Sequence, residues 1–132
     1  MCFLLQGQVG FDFCEGYAVH LSKSDEAGEL YDLTGKKVCE LPFAVSRVVR
    51  SRNDLIVQFF KDGISTYYMY DFETNRIIRD TEVRSEEIYL LGIVGESCYG
   101  LQNGQLCYIS ADDFWNGRFS NAVFLTKNDY DS

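Results

Sequence analysis

His20, five cysteines and a set of aromatic and acidic side chains are the residues of this 132-residue chain that could do chemistry. A general base of the imidazole type would rest on His20 alone, the only histidine. It stands in Ala18-Val19-His20-Leu21, read as part of a strand, where a packed or half-buried ring is the expected role. Cys14 lies nearby in sequence, but proximity along a chain does not make a nucleophile and base meet. Cys2, Cys14, Cys39, Cys98 and Cys107 include no CxxC pair, and scattered thiols with one histidine do not form a zinc site. Gly92-Ile93-Val94-Gly95 lacks the following helix that a phosphate-binding loop needs. The acidic stretches 24–29 and Asp112-Asp113 lack the alternating ligand spacing of a calcium loop. The expectation is a protein without catalysis, metal or cofactor.

Binding chemistry is the remaining class. Tyr67, Tyr68, Tyr70, Phe72, Phe114, Trp115 and Phe119 crowd the second and third parts of the chain. Trp115 sits between Asp112-Asp113 and Asn116-Gly117, a loop-like stretch where a large ring would either anchor a protein or sugar or fold back over the core. Arg47, Arg50, Arg52, Arg76, Arg79 and Arg84 all fall in the middle of the chain. The candidate binding residues are therefore Trp115, Tyr68, Arg47 and Arg50. The net charge of -8 is spread as -4 over residues 1–44, +1 over 45–85 and -5 over 86–132. So acidic a chain repels phosphate backbones, which argues against nucleic acid. No apolar run approaches a membrane span, and residues 1–6 do not form a signal peptide. With Met1 as the native start, the expected location is the cytoplasm, and the thiols are expected reduced.

The elements that must position these residues repeat. Tyr31-Asp32-Leu33-Thr34-Gly35-Lys36 is echoed by Tyr70-Asp71-Phe72-Glu73-Thr74-Asn75 and, more faintly, by Tyr108-Ile109-Ser110. The leading tyrosines are 39 and then 38 residues apart, a period typical of stacked β units. Short apolar runs punctuated by turn formers predict four strands per unit. The first unit is read as strands over 4–9, 17–21, 29–33 and 37–41. The second spans 45–50, 55–60, 65–71 and 76–80, and the third 88–94, 97–102, 105–109 and 119–126. Asn103-Gly104 is the strongest hairpin signal, and a two-residue turn there sets Gly100, not Cys98, opposite Cys107. Ser110 is read as the cap of a short helical turn over 111–115. The fold expected is all-β: one domain of three antiparallel β-meander, blade-like repeats over about 3–43, 44–82 and 83–127, with a frayed tail over 128–132. Several strands are apolar on both faces, as strands packed between neighbouring sheets are.

Phe13-Cys14-Glu15-Gly16-Tyr17-Ala18-Val19 followed by Asp32-Leu33-Thr34-Gly35-Lys36-Lys37-Val38 resembles a WG repeat, and the turn at 31–36 resembles the outer hairpin of propeller blades. The Trp-Gly that names the family is absent, with Gly28-Glu29 roughly where it would fall, and only residues 11–43 carry the likeness. Three blades leave open edges and apolar faces, because propellers close with more. The expected function is a non-catalytic module binding another protein, or a second copy of itself through those edges. The alternatives are a small acidic inhibitor covering a basic partner, and a carbohydrate-binding module.

Overall fold

The structure, a computed structural model, describes residues 10–125 apart from 15, 23–24, 50, 52–53, 72–73, 75 and 85. Arg50, Arg52, Phe72, Cys2, the strand expected over 4–9 and the tail over 128–132 lie outside the described residues. Three four-stranded antiparallel sheets follow one another, each pairing its strands in chain order. The first holds β1 (Phe11–Cys14), β2 (Tyr17–His20), β3 (Glu29–Asp32) and β4 (Lys37–Glu40). The second holds β5 (Arg47–Val49), β6 (Leu55–Lys61), β7 (Ile64–Asp71) and β8 (Arg76–Arg84). The third holds β9 (Tyr89–Val94), β10 (Ser97–Gln102), β11 (Gln105–Ser110) and β12 (Val123–Phe124). The all-β expectation holds, and none of these sheets closes on itself.

β1 is a strand beyond those expected from the sequence, joined to β2 through Gly16 at φ 81°. One expected strand is corrected. The last strand of the third sheet shrinks to two residues, because Phe119–Asn121 form a 3-10 turn that buries Phe119. Ser110 caps α1 (Ala111–Trp115) as expected, its hydroxyl accepting from Asp113 N at 3.1 Å.

Strand alternation explains how the sheets stack. Val19 and Leu30 of the first sheet meet Leu55, Val57 and Tyr70 of the second in one core. The other face of the second sheet, with Val49, Ile56, Tyr67 and Val83, packs on Leu90, Cys98, Cys107 and Ile109 of the third. α1 closes the end of that second core with Phe114 and Trp115. The inner strands β6 and β7 of the middle sheet thus meet a core on each face, which is why Leu55-Ile56-Val57 and Tyr67-Tyr68-Met69-Tyr70 read as apolar. The edge strand β8 is charged and mostly exposed. Each fully buried Leu or Ile contributes roughly 1.5–3 kcal/mol to this arrangement.

The first strands of the three sheets lie beside one another, β1 against β5 and β5 against β9. Asp12 Oδ2 accepts from Val48 N at 3.0 Å across the first of these contacts. The Arg47 guanidinium donates to the Leu90 carbonyl across the second.

Local turns follow the side-chain chemistry. Asn103 and Gly104 take φ 52° and 77°, so Gln102 faces Gln105 and Gly100 faces Cys107. Cys98 and Cys107 are free and buried, and burial pushes the Cys98 thiol up to about 12 and that of Cys107 upward too. Asp32 Oδ1 accepts from Thr34 N, Thr34 Oγ1 and Lys36 N, and Gly35 supplies the positive φ of 92°. Asp71 Oδ2 accepts from Thr74 Oγ1 in the matching turn of the second sheet.

Candidate binding site

A cavity of about 410 Å³ opens between the second and third sheets, at the end where β6 turns into β7. Its walls are Phe60, Ile88 and Tyr89, and its polar lining is Arg47, Gln58 and Ser65, with Ser46 at the rim. Gln58 is 3% exposed and Ser65 5%, and they are the buried polar side chains of the described residues. Antiparallel register sends both to the face that Ile56 and Tyr67 also occupy, because Gln58 pairs with Tyr67 and Ser65 with Phe60. That face is covered by the third sheet, so each polar group must be satisfied by a neighbour. Arg47 Nε donates to Gln58 Oε1 at 2.7 Å, and Gln58 Nε2 donates to Ser65 Oγ at 2.7 Å. The guanidinium also lies 4.4 Å from the centre of the Tyr89 ring. Tyr67 OH accepts from Leu90 N at 3.0 Å beneath it. Burial raises the Tyr67 phenol, with the Leu90 bond and the Arg47 charge pulling the other way.

The outer face of the third sheet adjoins this cavity through Tyr89. Leu101 pairs with both Tyr89 and Leu106, and Tyr99 pairs with Tyr108, which pairs with Val123. Paired residues share a face, so these six side chains form one outer surface opposite Cys98 and Ile109. Leu91 and Val94 are exposed beside them. No charged residue stands on this face among the described residues. A solvated antiparallel face ordinarily alternates polar outward, and this one does not.

The third echo of the tyrosine pattern is displaced by one residue. Tyr31 points away from the second sheet, where it meets Phe11, and Tyr70 points toward the first sheet. The residue of β11 on the corresponding face is Ile109, packed on the second sheet. Tyr108 takes the opposite face, the one that Leu30 and Met69 turn toward the following sheet. It is 36% exposed because the third sheet has no successor among the described residues.

The structure separates the residues singled out from sequence. Arg47 lines the cavity. Tyr68 faces the first sheet and stacks on Phe43 at 4.7 Å. Trp115 ends α1 only 8% exposed, edge-on to Phe114 at 5.1 Å, with its indole N–H lacking an acceptor among the described residues. It borders a smaller polar cleft with Arg79, Asp80, Asp112 and Asn116. Gln58, Ser65 and Tyr89 were not anticipated. The available signal was Gln58 itself, one amide inside Leu55-Ile56-Val57-Gln58-Phe59-Phe60. No group of three His, Cys, Asp or Glu side chains gathers as a metal site among the described residues. No helix among them is long and apolar enough to cross a membrane. No protein-family model matches the sequence, and no match to it is found among curated proteins.

Proposed function

We propose that this protein is a non-catalytic β-repeat module that holds another protein against the outer face of its third sheet. One observation carries the reading: that face takes the positions which the first two sheets bury against their successors, and it bears no charge. Neighbouring exposed apolar side chains on one sheet face, here Tyr89, Leu91, Val94, Tyr108 and Val123, are the kind of patch that marks an interaction site. The three sheets are read as blade-like repeats. Support comes from their gathered first strands and from the matching Asp–Thr turns after Tyr31 and Tyr70, in keeping with the likeness to WG repeats. The free thiols of Cys39, Cys98 and Cys107 support a reducing compartment, the cytoplasm.

The partner is read as a different protein and not a second copy adding its first sheet. The outer face of the first sheet carries ion pairs among Glu29, Lys37 and Glu40, which stacking would strip of water. The double variant Leu101→Lys/Tyr108→Lys, compared with the parent by quantitative affinity capture from native lysate, tests the proposal. At least one protein is expected to fall about tenfold or more in the variant, at unchanged circular dichroism. Binding through this face is also expected to be nearly indifferent to salt, whereas an acidic inhibitor would release its partner steeply. Equal capture by parent and variant contradicts the proposal.

A further inference from the structure

Among the described residues Arg47 has no counter-ion. Its partners among them are Gln58 Oε1, the Leu90 carbonyl and the Tyr89 ring, all neutral. In a chain with 20 acidic and 12 basic residues, a half-buried guanidinium without a carboxylate is a conspicuous choice. Of its five N–H groups, the Gln58 and Leu90 oxygens use two. Ser65 Oγ accepts from Gln58, and Ser46 Oγ accepts from Phe60 N at 3.0 Å, so both hydroxyl hydrogens remain to be given. One hydrogen of the Gln58 amide is also left. The cavity therefore offers several hydrogen-bond donors and one positive charge, and no carboxylate lines it. Around them stand the apolar surfaces of Phe60, Ile88 and Tyr89.

We propose that this cavity binds a carboxylate carried on an apolar body: a free aryl or branched aliphatic acid, or the last residue of a peptide. The guanidinium and hydroxyl donors meet the carboxylate oxygens, as charge-assisted bonds favour. The apolar body fills the space between Phe60 and Tyr89. A volume of about 410 Å³ lies within the range of small-ligand sites. A cation would be repelled by Arg47, and a wholly apolar group would strip the guanidinium of water without replacing it. An inorganic phosphate would leave the three apolar walls uncovered. The inference stands apart from the reading of the outer sheet face, since a partner can occupy that face with the cavity empty.

The test is a titration of the ¹⁵N-labelled full chain with 3-phenylpropanoate and, separately, with its uncharged amide. The acid is expected to move the Gln58 side-chain amide and the Tyr89 backbone signal saturably, with a Kd of roughly 1–5 mM for a fragment of this size. The amide, equal in shape, is expected to bind at least tenfold more weakly, as is the acid to Arg47→Met. Ser65→Ala, which removes one donor and little volume, is expected to weaken the acid severalfold. A tripeptide ending in phenylalanine separates the sources: tenfold tighter binding than the free acid points to a peptide end, and equal binding to a small acid. The inference is overturned if acid and amide bind alike. It is overturned equally if neither moves these signals below roughly 20 mM.

Discussion

The outer faces of the first and third sheets are the two ends of the stack, opposite faces of a four-stranded meander, and they are built in opposite ways. On the first sheet Glu29 is a hub. Its carboxylate accepts from Tyr31 OH at 3.0 Å, meets His20 Nδ1 at 3.1 Å, and pairs with Lys37 Nζ at 3.0 Å. Phe11 stacks on His20 at 4.8 Å beside that hub. The outer surface of the third sheet is filled by Tyr99, Leu101, Leu106 and Tyr108, with no ion among the described residues. A stack of sheets ends stably in water when its terminal face is polar. The first sheet comes nearer to that requirement through its ion hub, with Phe11 and Phe13 sharing the face, and the third sheet presents an apolar one.

The comparison breaks if the third face proves to be core. A lysine placed on the same-facing position of each sheet decides this. Leu30→Lys puts a charge where the side chain is 1% exposed and is expected to cost about 4 kcal/mol, enough to unfold much of the chain. Tyr108→Lys on the open face is expected to cost about 1 kcal/mol or less, by urea denaturation. A loss at Tyr108 as large as that at Leu30 would make the face structural.

A smaller effect sharpens the other half of the comparison. The Lys37 ammonium, followed by the Tyr31 hydroxyl, holds the Glu29 carboxyl below its ordinary value of 4.5. Its contribution to stability is therefore complete above that value, and is lost as pH falls through the lower value of the folded state. Glu29 and then Glu40 hold the Lys37 ammonium above 10.5, so its contribution is complete below that pH and is lost on rising through the folded value. Glu29→Gln is expected to flatten the acid limb of a pH–stability curve, by less than either lysine substitution above changes stability at neutral pH. An unchanged acid limb would mean that the first face is not held by these ions.

Much of this architecture was legible in the sequence because local rules decided it. Asn103-Gly104 specified a register that kept Cys98 and Cys107 apart, and Ser110 announced its helix. The tyrosine period misled by one residue at Tyr108, because the period counts residues while the face depends on parity, and one step reverses it. The cavity was hidden for a different reason. Gln58 and Ser65 become a buried polar pair only when β6 meets β7 and the third sheet covers them, a non-local event. Arg47 was visible as a charge, but its lack of an acid partner is a property of the folded neighbourhood. The polar stretch around Trp115 allows either an exposed anchor or a ring folded back over the core, and α1 turns it inward.

The most direct test of the open third face is site-specific photo-cross-linking in native lysate. A photoreactive amino acid replaces Tyr108 in one preparation and Tyr31, on the outer face of the first sheet, in another. A discrete heavier adduct from position 108 and none from position 31 is the predicted result. Adducts of the same mass and yield from both positions, or none from 108, would contradict the claim that a partner docks on the outer face of the third sheet and not on that of the first.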